Sequence, residues 1–270
     1  MRKNIAFIYD FDGTLSPMNM QEYSFMDAVG VCDKNAFWAE CRQMATDHNA
    51  NSVLCYMRLM LEKSRANHTP ITRQKFVGYG LGVELYPGVS EWFGLVNGIG
   101  ESMGLDIRHY INSSGLLEII EGTPIAKSFN GIYASSYMYD ENGVAIWPAT
   151  AIDFTAKTQV LWMINKGVER PSDAADINKS MPTEDRPVPF TNMLYFGDGE
   201  TDVPSMQIVR SYGGHSFAVY NPDDNTKMRL AQKLLADRRV NYALEADYRQ
   251  GSELFRTITG ILEDIASAGR

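Results

Sequence analysis

Ile5-Ala6-Phe7-Ile8-Tyr9-Asp10-Phe11-Asp12-Gly13-Thr14 decides the reading of this chain, because five apolar residues empty directly into two carboxylates and a glycine. An apolar run of this length between polar flanks reads as a buried strand. The acids stand at its carboxyl end, the edge where ligands bind in open α/β sheets. Gly13 lets the backbone turn immediately afterwards, so that one carboxylate meets a ligand from below while the other swings over it. Asp and Gly are also common turn formers, and taken alone the stretch fits a surface turn as well.

A partner lies far downstream. Gly197-Asp198-Gly199-Glu200-Thr201-Asp202 again follows an apolar run, residues 193–196, and precedes a helix. Asp202 is a good N-cap for that helix, and Pro204 falls in its first turn, where a missing N–H costs nothing. If the two strands are neighbours in a parallel sheet, Asp10, Asp12, Asp198 and Asp202 converge at one edge. Crowded carboxylates disfavour one another's ionisation unless a cation joins them. Hard oxygen ligands select Mg²⁺, which uses one or two carboxylates and keeps several waters.

Composition narrows the class. At 270 residues with 44% hydrophobic and 21% charged, the chain can bury a sizeable core and is not generically disordered. A formal net charge of −8 argues against nucleic acid or an anionic membrane as partner. It also means that a phosphate site must supply its own local positive charge. No run of about 18 apolar residues is present, so no membrane span is expected. The apolar stretch after Met1-Arg2-Lys3 stops at Asp10, too soon for a signal peptide. Cys32, Cys41 and Cys55 are odd in number and form no CxxC pair, as in a reduced, cytoplasmic protein. His48, His68, His109 and His215 lack metal-ligand spacing and are expected to be structural.

Between residues 16 and 84 the periodicity is helical. Asp33 and Thr72 are candidate N-caps, and Val53, Leu54, Met57, Met60 and Leu61 trace one helix face. The methionines and aromatics of this stretch (Met18, Met20, Tyr23, Phe25, Met26, Phe37, Trp38) could line a ligand groove, but for the most part they read as the core of a small bundle. After Tyr86-Pro87-Gly88 the texture changes to helix 89–103, strand 107–112 and helix 115–120. A hairpin about Asn142-Gly143 comes next, then helix 156–166 ending at Gly167. A polar, Pro-rich loop is expected over 169–189. Strands at 193–196, 215–219 and 242–246 then alternate with helices at 203–209, 225–236 and 253–266. Such alternation predicts a parallel sheet covered on both faces, with the helical stretch as an insertion.

Four motifs together resemble the haloacid dehalogenase superfamily of phosphohydrolases. They are Asp10-Phe11-Asp12-Gly13-Thr14-Leu15, Tyr110-Ile111-Asn112-Ser113-Ser114-Gly115, Lys157-Thr158 and Gly197-Asp198-Gly199-Glu200-Thr201-Asp202, in the order of that family. The resemblance implies a Rossmann-like, doubly wound α/β core of residues 1–16 and 85–270. Residues 17–84 would then be a helical cap of the phosphoserine phosphatase kind.

The resemblance also implies roles. Asp10 is the candidate nucleophile, forming an aspartyl-phosphate, and Asp12 the candidate general acid and then base. Members acting on carbon–halogen bonds lack the second aspartate, which favours a phosphatase. Mg²⁺ would be held by Asp10, the Asp12 backbone carbonyl and Asp198, with Asp202 either a further ligand or a helix cap. Ser113 is the candidate phosphate-binding hydroxyl, with Ser114 and Gly115 offering backbone N–H groups at a helix start. Asn112 is unexpected in an apolar strand and leaves open which of residues 112–114 faces the phosphate. Lys157 is preferred over Lys127 and Lys166 as the neutralising cation, because it stands at a helix start, where the dipole disfavours positive charge. Arg42, Arg58 and Arg65 are candidate cap contacts to a small phosphorylated substrate. The same motifs also fit a phosphotransferase or a silent binding protein on this fold. A Rossmann nucleotide-binding protein is disfavoured, since no G-x-G-x-x-G follows the first strand. Substrate and oligomeric state are not legible.

Overall fold

The computed structural model describes residues 2–169 and 171–267, with only the backbone for 171–174; Met1, Arg170 and residues 268–270 lie outside the described residues. Strand β1 (Lys3–Tyr9) is followed by helices α1 (Phe25–Ala28), α2 (Lys34–His48), α3 (Ser52–Ala66), α4 (Arg73–Tyr79) and α5 (Val89–Ser102). Next come β2 (Leu105–Leu116), α6 (Leu117–Glu121), β3 (Gly131–Tyr139), β4 (Ala145–Thr150) and α7 (Phe154–Lys166). The chain then alternates through β5 (Met193–Gly197), α8 (Val203–Ser211), β6 (His215–Tyr220), α9 (Asn225–Ala236), β7 (Tyr242–Glu245) and α10 (Glu253–Ser267). Short 3₁₀ turns occupy the described part of the predicted 169–189 loop, which includes Arg170.

The seven strands form one sheet in the order β4-β3-β2-β1-β5-β6-β7. All neighbours are parallel except β3 and β4, the predicted hairpin, whose Asp140 carboxylate accepts from the N–H groups of Asn142 and Val144. β1 is central: Tyr9 is level with Ile111 on one side and Phe196 on the other. The next residue on each strand is Asp10, Asn112 and Gly197, so register alone brings three motifs to one edge.

Side-chain alternation sorts the core into two layers. Ile5, Phe7 and Tyr9 pack with Trp92, Phe93 and Val96 of α5 and Leu254, Ile258 and Leu262 of α10. Ala6 and Ile8 face the opposite layer, with Leu161 and Ile164 of α7, Met206 of α8 and Leu234 of α9. The first layer runs on without a break into Met20, Phe25, Phe37, Met57, Met60 and Phe76. Of the predicted α3 face, Leu54 departs: it is 41% exposed while Val53, Met57, Met60 and Leu61 are buried.

The helical stretch leaves and rejoins the sheet at one point, since the Tyr86 N–H donates to the Leu15 carbonyl at 2.9 Å. It is tied to the hairpin side by the Tyr137 hydroxyl donating to the Met57 carbonyl (2.7 Å) and by the Arg73–Glu121 ion pair. Asp33, Asn51 and Thr72 cap α2, α3 and α4 through their side chains. Under β1 the Trp92 indole donates to the Tyr9 hydroxyl (2.9 Å), which pairs with His109 Nδ1 (3.1 Å). Burial pushes the His109 imidazole down to about 3, so it is neutral and structural.

Candidate active site

Asp10 closes β1 with its own N–H bonded to the Phe196 carbonyl at 2.8 Å, an extension of the β1–β5 pairing that fixes the carboxylate's root. Its even position directs it to the α7 side of the sheet, where Lys157 emerges from the first turn of α7. Lys157 is fully buried and bridges two acids, 3.0 Å from Asp10 Oδ2 and 2.7 Å from Asp202 Oδ1. Asp153 caps α7 through Oδ1 and receives the Asn51 amide on Oδ2 at 2.6 Å, which links the cap of α3 to that of α7. Asn112, the residue unexpected in an apolar strand, donates its amide to the Lys157 backbone carbonyl at 3.0 Å. It therefore holds the helix turn that carries the lysine. Lys127 is exposed, and Lys166 donates to the Ile177 and Lys179 carbonyls, away from the acids.

Carboxylate oxygens of Asp10, Asp198 and Asp202 lie within 4.8 Å of one another. Two glycines make the crowding possible. A Cβ on Gly13, where φ is +76°, would stand 2.2 Å from Asp198 Oδ2, and one on Gly197 would stand 2.5 Å from Asp202 Cγ. Asp202 begins α8, but its side chain makes no capping bond. Its Oδ1 takes the Lys157 ammonium and the Tyr195 hydroxyl (2.7 Å), while its fully buried Oδ2 has no hydrogen-bond partner. The Asp12 carboxylate stands outside this triad, with Oδ1 accepting from the Met20 N–H at 2.9 Å.

Burial, and next the Asp202 charge, push the Asp10 carboxyl up to about 7, although Lys157 pulls the other way. Burial and then Asp10 hold Asp12 well above the usual carboxylate range. Burial also raises Asp198, opposed by Lys227. Lys157 is pulled down by burial, but Asp10 and Asp202 more than offset this and keep it charged.

Ser113 is buried at the end of β2, its Oγ accepting from the Gly115 N–H at 3.0 Å, which leaves the hydroxyl hydrogen free to donate. The expected helix start at residue 115 is displaced: β2 runs to Leu116, and α6 begins only at Leu117. Ser114 and Gly115 are thus extended backbone. The Ser114 carbonyl accepts from the Tyr56 hydroxyl of α3 at 2.6 Å.

Asp10, Asp12, Ser113, Ser114 and Asp198 line a cavity of about 650 Å³ between the sheet edge and the helical stretch, walled on the far side by Met18, Glu22, Trp38, Arg42 and Tyr56, while Lys157 and Asp202 lie buried behind it. Of the three candidate arginines only Arg42 lines it. Arg58 pairs with Glu62 at 2.7 Å and, with Arg65, borders a separate cavity between α2, α3 and β4. Lys227, which the sequence reading passed over, sits in the cavity 2.5 Å from Asp198 Oδ2. Its signal is the one that singled out Lys157: a cation in a helix's first turn, here behind the cap Asp224.

No protein-family model matches the sequence. A protein of Borreliella burgdorferi without assigned function is 28% identical over 285 residues, spanning 95% of this chain and 96% of that protein. Among solved structures, a probable phosphoserine phosphatase from Vibrio cholerae superposes with TM-score 0.59 and 14% identity, over 99% of this chain and 67% of that one. A haloacid dehalogenase family hydrolase from Salmonella enterica serovar Typhi gives 0.57 and 13%, over 90% and 68%. A phosphoserine phosphatase carrying a phospho-aspartyl intermediate analogue gives 0.55 and 11%, over 96% and 99%. The chain has the haloacid dehalogenase α/β fold, of the phosphoserine phosphatase kind. Among the described residues no helix is long and apolar enough to cross a membrane.

Proposed function

We propose that this chain is a Mg²⁺-dependent phosphomonoesterase of the haloacid dehalogenase type. In this reading it acts on a small phosphorylated metabolite through an aspartyl-phosphate on Asp10. The observation that carries this reading is the fully buried Lys157, ion-paired to both Asp10 and Asp202 and meeting Asp198 through them at one strand edge. A scaffold protein has no use for a desolvated lysine among three acids, whose assembly is costly unless the charges are used. The solved phosphoserine phosphatase with a phospho-aspartyl analogue is a precedent on the same fold.

The donor set fits a hard divalent cation. Three carboxylates converge, all ligand atoms are oxygen, and the buried Asp202 Oδ2 lacks any partner from the protein. Asp10, Asp198, Asp202 and the Asp12 backbone carbonyl would hold it. Bound there, Mg²⁺ supplies positive charge against the phosphoryl oxygens.

The chain's own groups divide the remaining work. Asp10 Oδ1 is held by the Phe11 N–H (2.7 Å) and Oδ2 by Lys157, so the carboxylate approaches phosphorus in one orientation. Lys157 offsets the negative charge of nucleophile and phosphoryl group together. Asp12, held on one oxygen by Met20 and raised by burial, carries a proton to give the leaving oxygen and afterwards takes one from water. Ser113 offers its free hydroxyl hydrogen to a phosphoryl oxygen. Residues 17–84 serve as the cap that covers Asp10 during transfer and recognises the leaving group. Three free cysteines support a reducing, cytoplasmic setting.

The test is phosphate release from a panel of small phosphomonoesters, with Mg²⁺ and again after chelation. Metal-dependent turnover that is lost in Asp10→Asn is expected. Turnover that survives either treatment refutes the mechanism.

A further inference from the structure

The two lysines of the site are placed alike and held differently. Each stands in the first turn of a helix capped by an aspartate: Asp153 before Lys157, Asp224 before Lys227. Neither position suits a cation, because the helix dipole presents its positive end there. Lys157 has no exposed side-chain surface and two carboxylate partners, and it cannot leave without stranding both. Among the described residues Lys227 has a single carboxylate partner, Asp198 Oδ2, and its side chain is 41% exposed in a cavity that Glu200 and Thr201 also line.

Asp198 is confined from a second side as well. Its carboxylate is seated on the bare Cα of Gly13, where no side chain could fit. What Lys227 adds is charge. We infer that Lys227 is a tethered, displaceable counter-ion of the metal site: its ammonium holds Asp198 when no divalent cation is bound and competes with that cation for the same carboxylate. The inference rests on the proposed Mg²⁺ site and adds to it a residue that lowers metal affinity. A half-buried lysine at a cavity lining can swing into water as the cation enters, whereas a fully buried one cannot. Lys227 thereby keeps the crowded acids compatible with one another in the metal-free protein.

The test is calorimetric titration of the chelator-treated full chain with Mn²⁺ alone, at fixed pH and salt. Removing one positive charge beside a divalent site, discounted for exposure to water, should tighten Mn²⁺ binding about tenfold in Lys227→Met. Lys227→Gln, which keeps a long polar side chain, should move the same way, and Lys227→Arg should stay near the parent. The metal-free melting temperature of Lys227→Met should fall, and its rise on adding Mn²⁺ should exceed the parent's. If the parent binds Mn²⁺ and the Met and Gln variants bind it equally or more weakly, Lys227 orients Asp198 and the inference is overturned, with the metal site intact. If neither parent nor variants bind Mn²⁺, both readings fall.

Discussion

At the sheet edge each clustered acid is held by a partner. Asp10 and Asp202 share Lys157 of α7, Asp198 meets Lys227 of α9, and Asp12 takes the Met20 N–H. Across the same cavity the helical stretch offers Met18, Trp38, Arg42 and Tyr56, and here the restraints are sparse. Trp38 donates to Glu22 at 2.7 Å, Tyr56 to Ser114, and Arg42 makes no ion pair among the described residues. One wall is anchored by the desolvated Lys157 pairs with Asp10 and Asp202, which leave the lysine no alternative partner in water. The other is built of apolar and aromatic side chains and one arginine, on helices tied to the sheet by neutral hydrogen bonds and a shared core. The contrast is that expected between groups that carry out a reaction and groups that select what enters.

Substitutions can break that contrast, and the largest effect belongs to the fixed wall. Asp10→Asn should lower turnover by about four orders of magnitude or more, because an amide does not attack phosphorus. It should leave the fold intact, since it removes a buried charge. A folded Asp10→Asn protein with substantial phosphatase activity would end the nucleophile assignment.

Lys157→Met strands two buried carboxylates, and a stability loss of about 3–5 kcal/mol by urea denaturation is expected together with inactivity. Unchanged stability would mean that the Lys157 ion pairs make no net contribution to folding.

Asp12→Asn should cost about 10²–10⁴-fold in turnover, with greater loss for esters of poor leaving alcohols. Equal losses for para-nitrophenyl phosphate and an alkyl phosphate would remove its role as acid.

A smaller effect follows from pH. The folded carboxyl of Asp10 is raised by burial to about 7, against an unfolded value near 4. Between those values the folded state binds more protons than the unfolded one, so this group's contribution to stability falls as pH rises from about 4 to about 7 and is flat above. Asp12 and Asp198 shift in the same direction. Metal-free protein should therefore lose stability over that window, measurable as a falling urea midpoint, and Asp10→Asn should flatten the profile. A midpoint that climbs from pH 5 to 7 contradicts the burial of these charges.

The smallest effect sharpens the contrast from the other wall. Trp38→Ala or Arg42→Ala should raise KM for the preferred phosphomonoester about tenfold, equal to about 1.4 kcal/mol, and barely alter para-nitrophenyl phosphate. If both substrates suffer alike, the helical stretch is structural and selection lies at the sheet edge.

What the sequence determined by itself was everything written in local order. Apolar runs ending in acid and glycine marked β1 and β5. Asp33, Thr72 and Asn142-Gly143 marked caps and a turn, because capping and turn chemistry act within a few residues. Lys157 was found from its place against the helix dipole, and the same rule applied to Lys227 would have found that too. The tertiary structure decided what depends on partners far along the chain. Asp202 surrendered its capping role because Lys157 and Tyr195 meet it from other elements. Asn112 proved to be the clamp on the Lys157 turn, a bond that only the β2–β1 register could create. Residues 113–115 stayed in strand β2 through a register shift, because β2 pairs with β3 again at Leu116 and Ser135 before the helix can begin. Arg58 and Arg65 faced away because the rotation of α3 is set by which apolar side chains the core accepts, and a charge pattern on one helix carries no information about that. Spacing fixes what a residue can do, and burial among distant neighbours fixes which of those things it does.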